Sequence, residues 1–282
     1  MDGDAIERQR GIVEVAGPEA RELLQRLITN DVERLAPGEA RYAALLSPQG
    51  KIAVDFFVVS APSPETPERF WLDCPADLSA DLAKKLRMYK LRANVTVTDR
   101  SAELGAKPLA EPIATAESGL LVYTDPRNTA LGFRAVGPHE ALGTLRDPSV
   151  ETRRIEAGVP EGGLDFAYGD TFPHEANFDR LNGVDFMKGC YVGQEVVSRM
   201  QHRGTTRKRV QPVGFDGTAP SPGAEILAGD LPVGTMGSSA GQRGLAMVRI
   251  DRVTDALASG TSLEALGKPV RIDLEVEPTS SH

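Results

Sequence analysis

Apolar positions in the first hundred residues switch between a period of two and a period of three to four. Residues 11–15 alternate as a short strand. Leu23, Leu24, Leu27 and Ile28 then mark one face of a helix entered through Pro18. Residues 42–46 and 52–59 read as two strands joined by Ser47-Pro48-Gln49-Gly50, with proline and glycine where a tight turn uses them. The three prolines of 61–67 make a loop, and 70–73 a further strand. Leu78, Leu82 and Leu86, spaced by four, predict a second helix, and the β-branched stretch 94–98 predicts a strand. Strand, helix, strand, strand, helix, strand, with one extra short strand, is the ferredoxin-like split βαβ order.

The segment 104–118, with its alanines and prolines, predicts a connector. Beyond it, 120–123 and 131–136 read as strands, 138–145 and 150–157 as helices, and the stretch to 187 as Gly-rich loop. In element order this is a degenerate second copy of the first unit. After 208 the texture changes to short strands at 210–215, 224–227, 232–236, 245–250 and 270–276, separated by Gly- and Pro-containing turns. Such spacing predicts a small β-barrel or sandwich. The predicted class is α+β: an N-terminal ferredoxin-like lobe over 1–103, a second α+β lobe over 104–207, and a C-terminal barrel over 208–282. Residues 278–282 read as a disordered tail.

Composition narrows the function. A formal net charge of −8 implies no general affinity for nucleic acid. Charge is uneven, however: from 188 to 209, Lys188, Arg199, Arg203, Arg207, Lys208 and Arg209 stand against Glu195 alone. That patch suits an anion or an acidic partner, or is simply a solvated face. Two cysteines, Cys74 and Cys190, cannot form a disulfide scaffold, and four scattered histidines give no ligand spacing, so no stably bound metal is expected. The acidic N-terminus has neither the apolar core of a secretory signal nor the Arg- and Ser-rich character of a transit peptide. No apolar run approaches the ~20 residues of a membrane span. A cytoplasmic protein with no membrane partner is the expectation.

The stretch with most chemistry is Lys188-Gly189-Cys190-Tyr191-Val192-Gly193-Gln194-Glu195. Val192, Val196, Val197 and Met200 recur at helical spacing, so a loop enters a helix here. A thiol near a helix start, beside the cation of Lys188, is favoured as thiolate. Gly189 and Gly193 allow a close backbone approach or a positive φ. Gln194 and Glu195 are either ordinary first-turn residues or supports of the Cys190 loop. The competing reading of Cys190 is a small core hydrophobe, because free cysteine is often buried.

This motif resembles the signature of the YgfZ-type folate-binding proteins, relatives of the aminomethyltransferase (T protein) of the glycine cleavage system. Further segments carry the resemblance in order: Leu27-Ile28-Thr29-Asn30-Asp31-Val32, Leu45-Leu46-Ser47-Pro48-Gln49-Gly50-Lys51, Arg154 to Pro160, and Pro173-His174-Glu175-Ala176-Asn177. It implies a three-lobed cloverleaf around a folate-sized hole, with tetrahydrofolate or a one-carbon derivative as cofactor. It also implies an accessory role in assembling or repairing iron–sulfur clusters of client enzymes, radical-SAM enzymes of tRNA modification among them. In that reading Cys190 and Lys188 carry the chemistry, while Glu175, Asp55, Asn177 and Asn30 are candidate folate contacts.

Glu175 matches a carboxylate that grips the pterin edge, whose adjacent N–H donors one carboxylate can accept. Asp55 interrupts an apolar strand and must face solvent, a partner or a cavity. T proteins carry two aspartates here, and this chain has Val54 in the first place. Turn formation accounts for Asn30 and Asp31 equally well. Arg153 and Arg154 read as surface or interlobe salt-bridge residues. Two other functions stay open: a folate-dependent aminomethyl or one-carbon transferase, and a non-enzymatic anion-binding docking scaffold.

Overall fold

The computed structural model describes residues 8–113, 119–143, 145–204, 206–272 and 274. The N-terminal heptad, 114–118 of the connector, and the 278–282 tail with His282 lie outside the described residues.

The first lobe runs β1 (Arg10–Ala16), α1 (Ala20–Leu27), β2 (Ala40–Leu46), β3 (Ile52–Ser60), β4 (Arg69–Pro75), α2 (Ser79–Lys90) and β5 (Thr96–Asp99). Its sheet is antiparallel in the order β2-β3-β4-β1-β5, the split βαβ arrangement with β2 added at the edge. Both faces are covered. Val13, Val15, Val54, Phe56 and Phe70 pack under the helices with Leu24, Leu82 and Leu86. Ile12, Tyr42, Phe57 and Trp71 pack on the other face, against Val136, Phe178 and Tyr191 from later in the chain. Burial of both faces explains why β3 reads as an almost unbroken apolar run.

The second lobe is smaller than the element order predicts. It contains β6 (Leu104–Leu109), β7 (Leu121–Thr124) and β8 (Phe133–Pro138) in the order β6-β8-β7, followed by the single turn α3 (His139–Leu142) and by α4 (Val150–Glu156). The chain from 157 to 193 is turns and loops, and leads into α5 (Gln194–Arg203). The last lobe is a closed six-stranded barrel, β10-β11-β12-β9-β14-β13, built from β9 (Lys208–Phe215), β10 (Glu225–Ala228), β11 (Leu231–Ala240), β12 (Arg243–Arg249), β13 (Leu263–Ala265) and β14 (Lys268–Ile272). Closure leaves no unpaired edge. A helix absent from the pattern reading, α6 (Ile250–Ala258), buries Val253 and Ala256 against the barrel core.

Candidate functional site

Strand alternation decides what faces the space between the lobes. On β3, Val54 and Phe56 point to the helix-side core, so Asp55 and Phe57 point the other way. They line a cavity of about 590 Å³ whose wall also takes Asp125, Arg127 and Arg134 from the second lobe, Glu151 and Arg154 from α4, and Ser239 to Gly241 from the barrel. All three lobes therefore contribute to one cavity, of a size that suits a small organic ligand. Of the T-protein aspartate pair, the member this chain keeps is the one that faces it.

The cavity wall is an ion network. Asp73, with no exposure, accepts from Arg10 Nε at 2.6 Å and from Arg134 NH2 at 2.7 Å. Burial alone would push its carboxyl up; the two guanidiniums outweigh that and hold it below the usual carboxylate range. Asp125 is held low in the same way, burial being outweighed by Arg127. The guanidiniums of Arg134 and Arg127 lie 4.3 and 4.8 Å from the Phe57 ring centroid. Asp55 accepts from Tyr42 Oη at 2.8 Å and from Tyr168 Oη. Both phenols are pushed up, first by burial and then by the Asp55 charge. Arg154 is buried: it donates to Val159 O, Asp165 and Ser238 Oγ of β11, each at 2.7 Å, and so ties the barrel to α4.

The other folate candidates do not line the cavity. Glu175 turns its carboxylate onto the Phe172 N–H at 2.8 Å, closing its own turn. Asn177, at φ 61°, donates to Val210 O and accepts from Arg209, while the Glu175 carbonyl accepts from the Val210 N–H. That element docks β9. Asn30 donates to Tyr42 O at 2.7 Å and to Asn182 O at 2.6 Å. None of the three side chains expected at the pterin faces the central cavity in this structure. Short polar side chains in this segment are spent satisfying backbone groups where irregular chain crosses between lobes.

The Cys190 loop lies elsewhere, sewn onto the end of α1. Thr29 Oγ1 donates to Gly183 O, the Asp185 N–H donates to Thr29 O, and Lys188 Nζ donates to Ile28 O and Asn30 O, both at 2.7 Å. Lys188 is 9 % exposed, and burial lowers its ammonium to about 8, with Asp31 and Asp185 opposing the shift. Its charge thus caps the carbonyl end of α1. The expected pairing of that cation with the neighbouring thiol is not the contact made. Asp185 Oδ1 accepts from the Met187 and Lys188 N–H groups, and Tyr191 is buried beneath the loop, 5.3 Å from the ammonium.

Cys190 itself is exposed, four residues before α5 begins. Gly193 meets the sequence reading: at φ 82° it lies so close to the β2–β3 turn that a Cβ would fall 2.8 Å from Ser47 O. Gly189 does not, having open space around it and no positive φ. The support expected of Glu195 goes to Arg199 instead, at 2.7 Å within α5. No side-chain bond from Gln194 to the loop occurs among the described residues. Cys74, the other thiol, is buried and pushed up by that burial. Among the described residues no three His, Cys, Asp or Glu side chains converge as a metal site.

Comparison with known proteins places this geometry. Residues 8–145 match the family described as the GCVT N-terminal domain, and 207–276 match the CAF17 C-terminal beta-barrel domain. The iron–sulfur cluster assembly factor IBA57, mitochondrial, of Mus musculus is 33% identical over 90% of this chain and 79% of its own length. The human protein of the same name is 32% identical over 88% of this chain and 78% of its own. The Mycosarcoma maydis homologue is 33% identical over 77% of the chain, which spans only 58% of that protein. The aminomethyltransferase T of the glycine cleavage system from Bartonella henselae superposes with a TM-score of 0.70 over 95% of this chain and 83% of its own, at 17% identity. That likeness shows the aminomethyltransferase-like fold. The cytoplasmic expectation is overturned, because all three named relatives are mitochondrial.

Proposed function

Because the chain belongs to the family of the IBA57 iron–sulfur cluster assembly factors, we propose that it is an accessory protein that delivers or repairs clusters in client enzymes and offers Cys190 as one ligand. The observation that carries this is the contrast between its two thiols. Cys74 is sealed in the first lobe, whereas Cys190 stands in solvent on a loop fixed by three anchors, Asp185, Lys188 and Tyr191. A cluster needs several thiolates, so the remaining ligands belong to a partner, and coordination of Cys190 to a cluster iron releases its proton to solvent. The anchored backbone holds that sulfur in one place, which lowers the ordering cost of a shared site.

The central cavity fits a reduced folate in size and chemistry, and we assign it that ligand. Asp55 presents a carboxylate beside Tyr168, and Phe57, flanked by the Arg127 and Arg134 guanidiniums, offers an aromatic and cationic wall. Folate, when bound, supplies one-carbon chemistry; the protein's groups here bind and orient.

Two measurements test the reading. Calorimetric titration with tetrahydrofolate is expected to show saturable binding at micromolar concentration, about tenfold weaker in Asp55→Asn and unchanged in Cys190→Ser, the factor following the loss of one charged acceptor. In cells lacking the protein, Cys190→Ser is expected to leave cluster enzymes inactive, radical-SAM enzymes being the class to assay. Absence of folate binding removes the cavity assignment, and full rescue by the serine variant removes the thiol assignment.

A further inference from the structure

The C-terminal half of α2 carries a surface that neither the cavity nor the Cys190 loop uses. From 82 to 98 the chain has five cations, Lys84, Lys85, Arg87, Lys90 and Arg92, and no acidic residue, in a protein of formal net charge −8. α2 buries Leu82, Ala83 and Leu86, which leaves Lys84, Arg87 and Met88 on the outside. Met88 is 68 % exposed, Tyr89 38 % and Leu91 83 %. Leu91 sits just past the helix at φ 46° and ψ −107°, a backbone state that L side chains rarely adopt. The fold holds an unfavourable conformation at the very residue whose apolar side chain it sends into water.

Helix electrostatics accounts for part of this. Cations in a last turn complement the dipole, and Arg87 Nε and Lys90 Nζ also donate to Val97 O and Val95 O. Neither fact accounts for three bare apolar side chains among them. Of the nearby carboxylates, Glu19 accepts from the Asn94 N–H, Glu22 pairs with Arg26, and Asp99 accepts from Ser79 and Ser101; Asp81, in the first turn of α2, is the one exposed acid on this helix beside Lys84 and Lys85. Arg87 also lies close enough to Asp99 to help hold that carboxyl low, which leaves Lys84, Lys85 and Arg92 as the cations facing an external anion.

We propose that this end of the first lobe docks on an anionic phospholipid surface, with Met88, Tyr89 and Leu91 entering the headgroup boundary inside a ring of lysine and arginine. Charge complementarity names the sign of the partner. Met88 lines no groove, and the shallow concavity that Tyr89 and Leu91 share with Leu23 and Leu27 is itself rimmed by Arg26, Lys90 and Arg92; apolar side chains standing among cations favour a deformable anionic plane. Tyrosine suits a boundary with one wet and one apolar side. This revises the expectation of no membrane partner, which rested on spanning segments. No helix among the described residues is long and apolar enough to cross a bilayer, and surface docking needs none.

The full chain is sedimented with vesicles of phosphatidylglycerol and phosphatidylcholine in equal parts, at about 50 mM salt where charge is weakly screened. It is expected to bind these vesicles and to ignore pure phosphatidylcholine. Met88→Ser combined with Leu91→Ser should weaken binding about tenfold or more, as removal of two inserted apolar side chains implies. Lys84→Glu with Arg92→Glu should abolish it, and Lys268→Glu on the barrel should leave it unchanged. In Tyr89→Trp the added indole should shift to the blue on anionic vesicles, a readout that does not depend on the other variants folding. Failure to sediment with anionic vesicles overturns the proposal, even if the patch captures an acidic protein instead. So does full binding by the double serine variant, which would reduce the contact to plain charge adsorption.

Discussion

Around the central cavity, charged groups are matched against other side chains; on the Cys190 loop, charge is spent on the backbone. Asp73 faces two guanidiniums, Asp125 faces Arg127, and Asp55 faces two phenols, all beneath the surface. On the loop a single ammonium holds two carbonyls of the α1 end, and two residues further on a thiol lies bare. The first arrangement makes a preformed wall, which suits a ligand that stays. The second fixes one thiol at the surface, within reach of a partner. The Lys188 to Glu195 motif thus holds its thiol at the surface, while the cavity is walled by paired charges.

The largest expected effect falls on the cavity side. Asp73→Leu leaves Arg10 and Arg134 buried without their carboxylate and is expected to cost about 4 kcal/mol in urea unfolding, as for a broken buried pair. A loss below about 1 kcal/mol would mean that the wall does not depend on this network. On the loop side, Lys188→Met removes the donor from two carbonyls and is expected to cost about 2 kcal/mol at pH 7.

The sign of its pH dependence follows from burial. The folded ammonium titrates at about 8 against 10.5 in the unfolded chain. Between those values the unfolded state binds more protons, so stability contributed at this residue rises with pH through that window. Relative to Lys188→Met, the wild-type chain should therefore gain stability from pH 8 towards 10.5; a flat difference would place the ammonium in solvent. The smallest effect belongs to Cys190→Ser, expected to change stability by less than about 0.5 kcal/mol because the side chain is exposed. In the native wild-type protein, a maleimide should modify one thiol quickly and Cys74 only after unfolding. Two slow thiols would contradict the comparison.

Part of this was legible in the residues. An aspartate inside an apolar strand must face solvent, a partner or a cavity, and Asp55 lines a cavity. Asp73 ends the 70–73 strand with the same signal, and the same rule would have found it. The Lys188 and Asn30 segments both stood out as motifs, yet their contact joins positions 158 to 160 residues apart, which no local spacing records. Arg127 and Arg134 gave no signal, because a guanidinium in a short strand or loop looks the same in sequence whether it meets water or a buried carboxylate. The motif around Glu175 gave no sign of the bond its carboxylate accepts from the Phe172 N–H, a contact of its own turn.

Though not β6 inside the expected connector or α6, the sequence by itself determined the element order of the first lobe, the run of short C-terminal strands and the glycine at 193. These follow from the period of burial and from backbone sterics, which act over a few residues. Only the tertiary structure decided what each polar group meets: that Lys188 holds the α1 end, that Asn177 docks the barrel, and that three lobes close on Asp55. Alternation says to which side a residue points; what waits there is set by how distant segments pack, and that is where charge is either paired or left free to act.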